Sequence, residues 1–342
     1  MVSSVTEPSA SAPLPVAVIG CGRMGRLHAR VYSEMPTVRL VGVYDLDAER
    51  AAEVADEFRC EPLTSEQLPA EVRAVSIAVP TNSHAVVAER CLNRGIACLI
   101  EKPLAKDVAE GKRIVECAKR TGSLVQVGHI ERFNPAVRAM SRLGIKPRFI
   151  EVTRISPLTF RSIDVGVVLD VMIHDIDIVL QLAASPVAKI DAIGVSVIGT
   201  VEDICNARLT FENGCVANMI ASRLALKTER KLRVFSPDAY VSLDYQKKYG
   251  IVARRSHNLN AIRDAVAKIR SGEITDLSEL NFADLVQIDE LQIDDIEPLR
   301  AQLDAFVEAV TKKIPPAISA EDGLAAVETA TRIVEAIAAQ SL

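Results

Sequence analysis

The stretch from Val16 to Gly25, which reads V-A-V-I-G-C-G-R-M-G, constrains the fold of this chain more than any other. Its four leading apolar residues suit a strand that is buried on both faces. They run directly into Gly20, Gly22 and Gly25, which follow the G-x-G-x-x-G spacing. In a strand–turn–helix unit the first glycine permits a tight turn, the second lets a pyrophosphate approach the backbone, and the third lets the helix pack on the sheet. The stretch predicts a dinucleotide site, with a purely structural glycine turn as the alternative.

An acidic residue twenty positions after the last of these glycines supports the dinucleotide site. The apolar stretch Val38 to Tyr44 reads as a second strand and is followed by Asp45, where a carboxylate can bind a ribose hydroxyl. Leu46 comes next, rather than an arginine or serine that would accept a 2′-phosphate. An acid in this place also repels that phosphate. The sequence therefore favours NAD over NADP.

Composition limits the classes of partner. The 342 residues carry a formal net charge of -5, and 40 basic and 45 acidic residues are interspersed, so no basic field for nucleic acid or an anionic membrane is present. Seven cysteines form no C-x-x-C motif, which favours reduced thiols in a cytoplasm. Residues 1–15 read as a disordered tail without the apolar core of a signal peptide, and no apolar run reaches the roughly 20 residues that span a bilayer. We expect a cytoplasmic protein that binds small molecules or proteins.

Residues 16–130 alternate between predicted strands and helices, which indicates an α/β fold with a Rossmann-type, doubly wound parallel sheet. Ligands bind such sheets at the carboxyl ends of the strands. The residues that fall at those ends are Gly20, Asp45, Pro80 to His84, Lys102 and His129. Asn82 is predicted to cap the helix after the P-T-N-S-H segment, and Asp107 with Glu110 reads as a capping box.

Residues 131–342 read as a second domain of α+β type. Six successive strands between Arg148 and Asp244, with an Asn213-Gly214 hairpin turn, predict an open and mostly antiparallel sheet. One face of such a sheet can stay available for a partner subunit or ligand. Residues 256–297 are mixed and acidic and receive no assignment. Amphipathic helices are predicted at 299–310 and 320–338.

The second informative stretch is Val165 to Leu182, which reads V-G-V-V-L-D-V-M-I-H-D-I-D-I-V-L-Q-L. As a helix it places a polar stripe of Asp170, His174, Asp177 and Gln181 on an otherwise apolar surface. A carboxylate one turn from an imidazole can fix the imidazole tautomer and raise its basicity, as a general base for a hydroxyl proton requires. A solvated helix face with a hydrogen-bonded histidine is the alternative. No second histidine or cysteine stands at ligand spacing, so no metal site is predicted.

Together these motifs resemble the Gfo/Idh/MocA oxidoreductases. The resemblance rests on G-C-G-R-M-G, Asp45, A-V-P-T-N-S-H, Glu101-Lys102-Pro103 and the D-x-x-x-H of Asp170 and His174, and it covers nearly the whole chain apart from the tail. It implies a Rossmann domain followed by an open-sheet domain used in oligomerisation. The segments at residues 128–136 and 154–177 resemble the branch that oxidises UDP-N-acetylglucosamine at carbon 3, including enzymes that supply a 3-amino sugar for lipid A. Met172 departs from the glycine common in the family, which places polyol substrates in more doubt than sugar nucleotides.

The resemblance also implies roles for individual residues. Lys102 and His174 are the expected catalytic residues, with Asp170 orienting the imidazole or holding a neighbouring hydroxyl. The expected NAD-binding residues are Gly20, Gly22, Arg23, Met24, Gly25, Asp45, Pro80, Thr81, Asn82, His84, Glu101 and Lys102. The expected substrate-binding residues are His129, Arg132, Arg154, Arg161 and Asp177, with the arginines on a diphosphate. For the two histidines outside the catalytic set, a buried and satisfied core position is the alternative, and for the arginines it is ordinary ion pairing.

These roles imply NAD-dependent oxidation of a secondary hydroxyl on a sugar nucleotide. His174 would remove the hydroxyl proton while Lys102 hydrogen-bonds the same oxygen, although sequence leaves open which of the two takes the proton. Because such oxidation is uphill at neutral pH, we expect a consumer of the ketone, such as an aminotransferase, and an even-numbered homo-oligomer, either dimer or tetramer. A polyol or free-sugar dehydrogenase and a non-catalytic dinucleotide or sugar sensor are the alternatives.

Overall fold

The computed structural model describes residues 12–65, 67–157, 165–255, 259–273 and 286–340. The chain divides into two compact units. The first contains the residues up to His129 together with Leu299–Leu324, and the second contains Ile130–Pro298 together with the residues from Ala325 onward. Within the described residues, no helix has the length and apolar character needed to cross a membrane.

The first unit is built on a six-stranded parallel sheet. Its strands are β1 (Leu14–Ile19), β2 (Val38–Tyr44), β3 (Glu61–Pro62), β4 (Ala74–Ile77), β5 (Ala97–Glu101) and β6 (Val125–Gly128), in the order β3-β2-β1-β4-β5-β6. Its helices are α1 (Arg23–Ser33), α2 (Ala48–Phe58), α3 (His84–Leu92) and α4 (Val108–Thr121). The central strands are buried almost completely, as their continuous apolar runs require. The predicted doubly wound parallel sheet is confirmed.

Three local predictions in this unit have clear outcomes. The Asp107 carboxylate accepts a hydrogen bond from the Glu110 N–H (2.8 Å), so it caps α4 as predicted. The prediction that Asn82 caps the next helix is wrong, because 81–83 form a 3-10 turn that leads directly into α3, which places Ser83 at the cap position. Strand β1 begins at Leu14, so the last two of the fifteen residues predicted as a disordered tail belong to the sheet, and residues 1–11 lie outside the described residues.

The second unit contains an eight-stranded sheet. Its strands are β7 (Phe149–Ile155), β8 (Val187–Val195), β9 (Ile204–Phe211), β10 (Val216–Ser222), β11 (Glu229–Phe235), β12 (Ala239–Asp244), β13 (Tyr249–Arg255) and β14 (Val286–Glu290). They follow the order β14-β13-β12-β11-β7-β10-β9-β8, and every pair is antiparallel except β7 with β10. The predicted mostly antiparallel sheet is confirmed, and Gly214 takes the positive φ of the predicted hairpin turn.

Helices cover one face of this sheet. They include α5 (Pro135–Ser141) and a π-helical turn at Val168–Met172 that continues as α6 (Ile173–Ala183). Helix α7 (Leu259–Ser271) follows β13, and its described side chains are exposed. Strand β7 shows the two-residue period clearly, because Ile150, Val152 and Arg154 are buried against the helices while the residues between them lie on the other face. The region 256–297, which received no assignment from the sequence, contains α7 and β14. Residues 291–297 follow β14 without regular secondary structure, and 256–258 and 274–285 lie outside the described residues.

The chain returns to the first unit near its end. Helix α8 (Pro298–Lys312) is followed by α9 (Ala320–Gln340). The Val127 N–H donates to the Ile318 carbonyl (3.0 Å), and the Gln126 side-chain amide donates to the Gln302 carbonyl (3.0 Å). Residues 299–324 therefore pack along β6, although the sequence analysis assigned them to the second domain. The amphipathic pattern identified the helices but not the core that they cover.

Candidate active site

The three glycines after β1 are needed for different structural reasons. Gly20 has a φ of +95°, and a Cβ on Gly25 would lie 1.7 Å from the Gly20 carbonyl oxygen, so the turn itself requires both residues. A Cβ on Gly22, in contrast, would meet no protein atom within 4 Å. Packing therefore does not explain Gly22, whereas a phosphate lying against the backbone would. Because α1 begins at Arg23, its free N–H groups and positive end are available at the same place.

Asp45 has partners within the first unit. One carboxylate oxygen accepts the N–H of Cys21 (2.6 Å) in the glycine turn. The other accepts the N–H of Asp47 (2.9 Å) and lies 3.4 Å from Nη1 of Arg50, whose Nη2 is 2.9 Å from the Asp47 carboxylate. The predicted ribose acid thus also holds the glycine turn in place. Arg50 was not predicted from the sequence. It lies in the first turn of α2, with its guanidinium beside the Asp45 carboxylate.

A cavity of about 620 Å³ lies at this edge of the parallel sheet, within the size range of ligand sites in proteins. It is lined by Gly20, Gly22, Tyr44, Asp45, Leu46, Arg50, Pro80, Asn82 and Ser83, among others. The structure thus brings together the glycine turn, the predicted ribose acid and the P-T-N-S segment. Leu46 is 89% exposed, so an apolar surface is available here for an adenine ring. The residues present fit a dinucleotide.

Lys102 lies at the end of β5, a half-buried position directly before Pro103. Its neighbour Glu101 is buried, and one Glu101 carboxylate oxygen lies 3.1 Å from Nε2 of the fully buried His28 on α1. A Cβ on Gly128 would come within 2.7 Å of that same oxygen, so the glycine leaves room for the carboxylate. Glu101 was predicted to bind NAD, but its carboxylate faces His28 and Gly128 in the interior of the first unit. His28 was not identified from the sequence.

His84 and His129 are both buried in the first unit. Nδ1 of His84 lies 2.9 Å from the Pro103 carbonyl and Nε2 lies 3.0 Å from the Val79 carbonyl. Burial lowers the pKa of His84, and the two carbonyls oppose that shift only in part. Both ring nitrogens face backbone carbonyls, so the structure places His84 in a buried core position, the alternative that the sequence left open, rather than in the predicted cofactor contact.

In the second unit, the predicted catalytic helix starts with a π turn. Asp170 lies within that turn and His174 in the first turn of α6, and both are half-buried. Because a π turn winds more widely than an α-helix, the regular four-residue stacking assumed for these two side chains does not apply here. Such turns occur frequently at functional sites. Met172, Ile173 and Ile176 are buried as predicted.

Comparison with known proteins fits this architecture. The sequence model described as "Oxidoreductase family, NAD-binding Rossmann fold" (Gfo/Idh/MocA) matches residues 14–129, and that of the family's C-terminal domain matches residues 155–241. The chain is 41% identical over 230 residues to the UDP-N-acetylglucosamine 3-dehydrogenase of Acidithiobacillus ferrooxidans, covering 67% of this chain and 73% of that enzyme. This chain belongs to the Gfo/Idh/MocA oxidoreductase family. It is an oxidoreductase with a Rossmann domain of the NAD-binding type.

Two further similarities extend over nearly the whole chain. A solved structure of the same Acidithiobacillus ferrooxidans enzyme has a TM-score of 0.85 at 32% identity and covers 95% of this chain and 98% of its own. The inositol 2-dehydrogenase of Rhizobium meliloti is 25% identical over 94% of this chain and 96% of its own. Both relatives are named as dehydrogenases, one of UDP-N-acetylglucosamine and the other of inositol.

The polar stripe predicted on the catalytic helix is partly wrong. Asp177 is buried, and its carboxylate accepts two hydrogen bonds from Arg132, both at 2.7 Å. Gln181 is exposed. Asp175, which the sequence analysis did not select, is also buried. Asp177 is therefore paired inside the protein, whereas Gln181 lies on the exposed side of α6.

Arg154 is paired in the same way. Its guanidinium donates to both oxygens of Asp175 (2.5 and 2.8 Å) and to Glu131 (3.0 Å), and it is 5.7 Å from the centre of the Tyr245 ring. Burial alone would lower the pKa of Arg154, but Asp175 and Glu131 hold that pKa above its usual range. The ion pairing that the sequence left as the alternative is what the structure shows for Arg132 and Arg154. Arg161 lies outside the described residues.

A third buried pair holds the start of the catalytic helix. Asp203 accepts hydrogen bonds from the N–H groups of Val197 and Ile198 and from Arg223, all at 2.7 Å. The Ile198 and Val197 N–H groups and Arg223 lower the pKa of Asp203 to about 2. Arg223 also donates to the Val165 carbonyl (2.7 Å).

Glu202, the residue before Asp203, takes part directly. Its carboxylate accepts the N–H of Val168 (3.2 Å), and its carbonyl accepts the N–H of Val167 (2.9 Å). The residues that precede the π turn are thus anchored to one short segment. Among the described residues, no cluster of three or more histidine, cysteine or acidic side chains could hold a metal ion.

Proposed function

We propose that this protein is an NAD-dependent dehydrogenase that oxidises the hydroxyl at carbon 3 of UDP-N-acetylglucosamine. The observation that carries this proposal is the 41% identity to an enzyme of that name, joined to a structural match over 98% of that enzyme's chain. The family and the Rossmann fold are shared with dehydrogenases of several substrates. Over nearly the whole chain the identity is 32% to the sugar-nucleotide enzyme and 25% to the inositol enzyme, which favours the sugar nucleotide.

The choice of NAD over NADP is supported by the charges around the cavity. Arg50 faces two carboxylates, those of Asp45 and Asp47, so the three side chains together carry one net negative charge. A 2′-phosphate would therefore meet net repulsion even though an arginine is present. A ribose 2′-hydroxyl could instead donate to the Asp45 carboxylate. The bound cofactor would supply the acceptor for the hydride that leaves the sugar.

The proposed catalytic roles follow from what each side chain can do. His174 is the base that removes the hydroxyl proton, since a neutral imidazole can accept a proton near neutral pH. Lys102 hydrogen-bonds the hydroxyl oxygen and stabilises the charge that develops on it. Asp170 orients the imidazole of His174 or holds a neighbouring hydroxyl. The π turn and its anchors at Glu202 and Arg223 keep the helix that carries His174 in one conformation.

The chemistry also constrains the surrounding reactions. Oxidation of a secondary alcohol by NAD⁺ is uphill at neutral pH, so a consumer of the ketone is needed for net flux. We propose an aminotransferase for this step, which would yield a 3-amino sugar nucleotide. We further propose that the protein assembles as an even-numbered homo-oligomer through the open face of its second sheet, where Glu151, Asn218, Lys231 and Arg233 line a polar groove.

A substrate screen tests the proposal. Purified protein is incubated with NAD⁺ and, separately, UDP-N-acetylglucosamine, free N-acetylglucosamine and inositol, and nicotinamide reduction is followed by absorbance. We expect reduction with the sugar nucleotide far above that with the other two, because contacts to a remote diphosphate position the sugar. Lys102→Met and His174→Ala should bind NAD normally and lose turnover, His174→Ala by roughly 100-fold or more.

The same screen separates the alternatives. Faster turnover of inositol would replace the sugar nucleotide by a polyol and leave the dehydrogenase assignment in place. If the wild-type protein binds NAD⁺ but reduces it with none of the three compounds, and the Lys102 and His174 variants behave in the same way, the result would favour a sensor. If the sugar nucleotide is the substrate, Arg161→Ala should reduce the preference for it over the free sugar, as the sequence predicts for a diphosphate contact.

A further inference from the structure

Lys102 is flanked in the sequence by two residues that each lie against a buried histidine. The preceding residue, Glu101, places its carboxylate beside His28. The following residue, Pro103, presents its carbonyl oxygen to His84. Neither histidine is exposed by more than 1%, so neither contact competes with bulk water. The backbone after the lysine is thereby hydrogen-bonded to the interior of the first unit, and the side chain before it points into that interior.

His84 forms the more direct of the two connections. Its ring spans two backbone carbonyls, with Pro103 at 2.9 Å from Nδ1 and Val79 at 3.0 Å from Nε2. Val79 lies just beyond β4 and Pro103 just beyond β5, so the imidazole links the chain after two neighbouring strands. Carbonyl oxygens can only accept hydrogen bonds, and a neutral imidazole carries a single N–H. A neutral ring can therefore donate to only one of the two carbonyls.

The other connection limits movement on the side of Glu101. Its carboxylate lies between His28 on α1 and the space left by Gly128 on β6. Helix α1 begins at the glycine turn that lines the dinucleotide cavity, and it also carries His28. One helix therefore connects the cavity to the residue before Lys102. On the other side of Lys102, the carbonyl of Pro103 faces His84 directly.

We propose that His84 is a positioning residue for Lys102, acting through a hydrogen bond from its Nδ1–H to the carbonyl of Pro103. This inference rests on the catalytic role proposed above for Lys102. His84 itself has no polar atom left for cofactor or substrate, so its contribution is to fix the backbone that carries the reactive ammonium group. Misplacement of a catalytic group by about 1 Å can lower a rate by roughly 100-fold.

The test compares His84→Asn with His84→Gln. The asparagine amide nitrogen takes a position near Nδ1 and can still donate to Pro103, whereas the glutamine amide nitrogen takes a position near Nε2 and can donate only to Val79. We expect His84→Asn to keep turnover near the wild-type value. His84→Gln should lose roughly 10- to 100-fold in kcat, with the dissociation constant for NAD and the KM for the sugar nucleotide nearly unchanged. Equal kcat values for the two variants would overturn the proposal.

A stability control separates positioning from general weakening of the fold. Ser123→Ala removes a half-buried hydrogen bond from the Ser123 hydroxyl to the Leu92 carbonyl (3.1 Å) in the same unit, before β6 and so at the opposite end of the parallel sheet from Lys102. It should lower the melting temperature without lowering kcat. If Ser123→Ala and His84→Gln lower kcat in proportion to their loss of melting temperature, the effect of His84 is only structural and the proposal fails.

A double variant shows whether His84 acts through Lys102. In a Lys102→Met background, adding His84→Gln should cause no further loss of kcat, because the group it positions is already gone. Losses that multiply would overturn the proposal while leaving the catalytic role of Lys102 intact. Wild-type turnover in Lys102→Met alone would instead refute the proposed role of Lys102, independently of any result for His84.

Discussion

Replacement of Arg154 distinguishes a structural role from a ligand-binding role more sharply than any other change in the second unit. Arg154→Met retains the length and most of the volume of the side chain but removes its charge. It leaves the buried Asp175 carboxylate without its guanidinium, and leaves Glu131 with Arg230 and the Asn134 side-chain amide, each at 3.3 Å. Removing one partner of a buried ion pair costs roughly 3–5 kcal/mol. With a shift of roughly 2–4 °C per kcal/mol for units of this size, the melting temperature should fall on the order of 10 °C.

Scanning calorimetry is the appropriate assay, because the chain has no tryptophan and two compact units that can melt separately. Arg300→Met is the matched control, since the Arg300 pair with Asp304 is a helical surface pair that contributes about 0.5 kcal/mol or less. The KM for the sugar nucleotide is measured on the same samples. An unchanged melting temperature combined with a raised KM would refute the structural role of Arg154 and restore it as a diphosphate ligand.

Three further predictions concern the cofactor and the fold. Asp45→Ala should weaken NAD binding while NADP binding changes little, because it removes a ribose acceptor and a repulsive charge; fluorescence titration showing equal losses would contradict the assignment. Gly22→Ala should keep the wild-type melting temperature but lose NAD affinity, whereas Gly25→Ala should lower both, since only the second Cβ would collide with the turn. Backbone N–H groups and Arg223 lower the pKa of Asp203 to about 2. The stability that this carboxylate contributes should be present above pH 4 and lost as pH falls toward 2. In Asp203→Asn, the free energy of unfolding measured with urea should depend less on pH over this range.

The predictable parts of this structure are those set by local patterns. The glycine turn, the continuous apolar strands and the Asp107 cap depend on residues close in sequence, and all are as the sequence predicts. Asn82 shows the limit of local rules, since several residues in the P-T-N-S-H segment could cap a helix and the 3-10 turn shifts the start to His84.

The missed features depend on distant partners. Arg154 was read as a ligand, yet the alternation of Ile150, Val152 and Arg154 on β7 places the arginine on the buried face. A buried arginine needs a carboxylate nearby, and Asp175 on α6 supplies it. The alternation was visible in the sequence, but the identity of the partner follows only from the packing of α6 on the sheet. The same holds for Arg50 beside Asp45 and for His28 beside Glu101.

The return of residues 299–324 to the first unit bears on how the chain can be synthesised and divided. Strand β6 lies at one edge of the parallel sheet, and its Val127 N–H and Gln126 side chain are engaged by Ile318 and Gln302. On the ribosome, about 170 residues separate β6 from this cover, which at roughly 5–20 residues per second leaves the edge open for ten seconds or more. An uncovered apolar edge strand invites pairing with another nascent chain. Chaperone demand should therefore peak before the last helices emerge, and an isolated nucleotide-binding domain is best made by fusing 299–324 behind His129 rather than by cutting there.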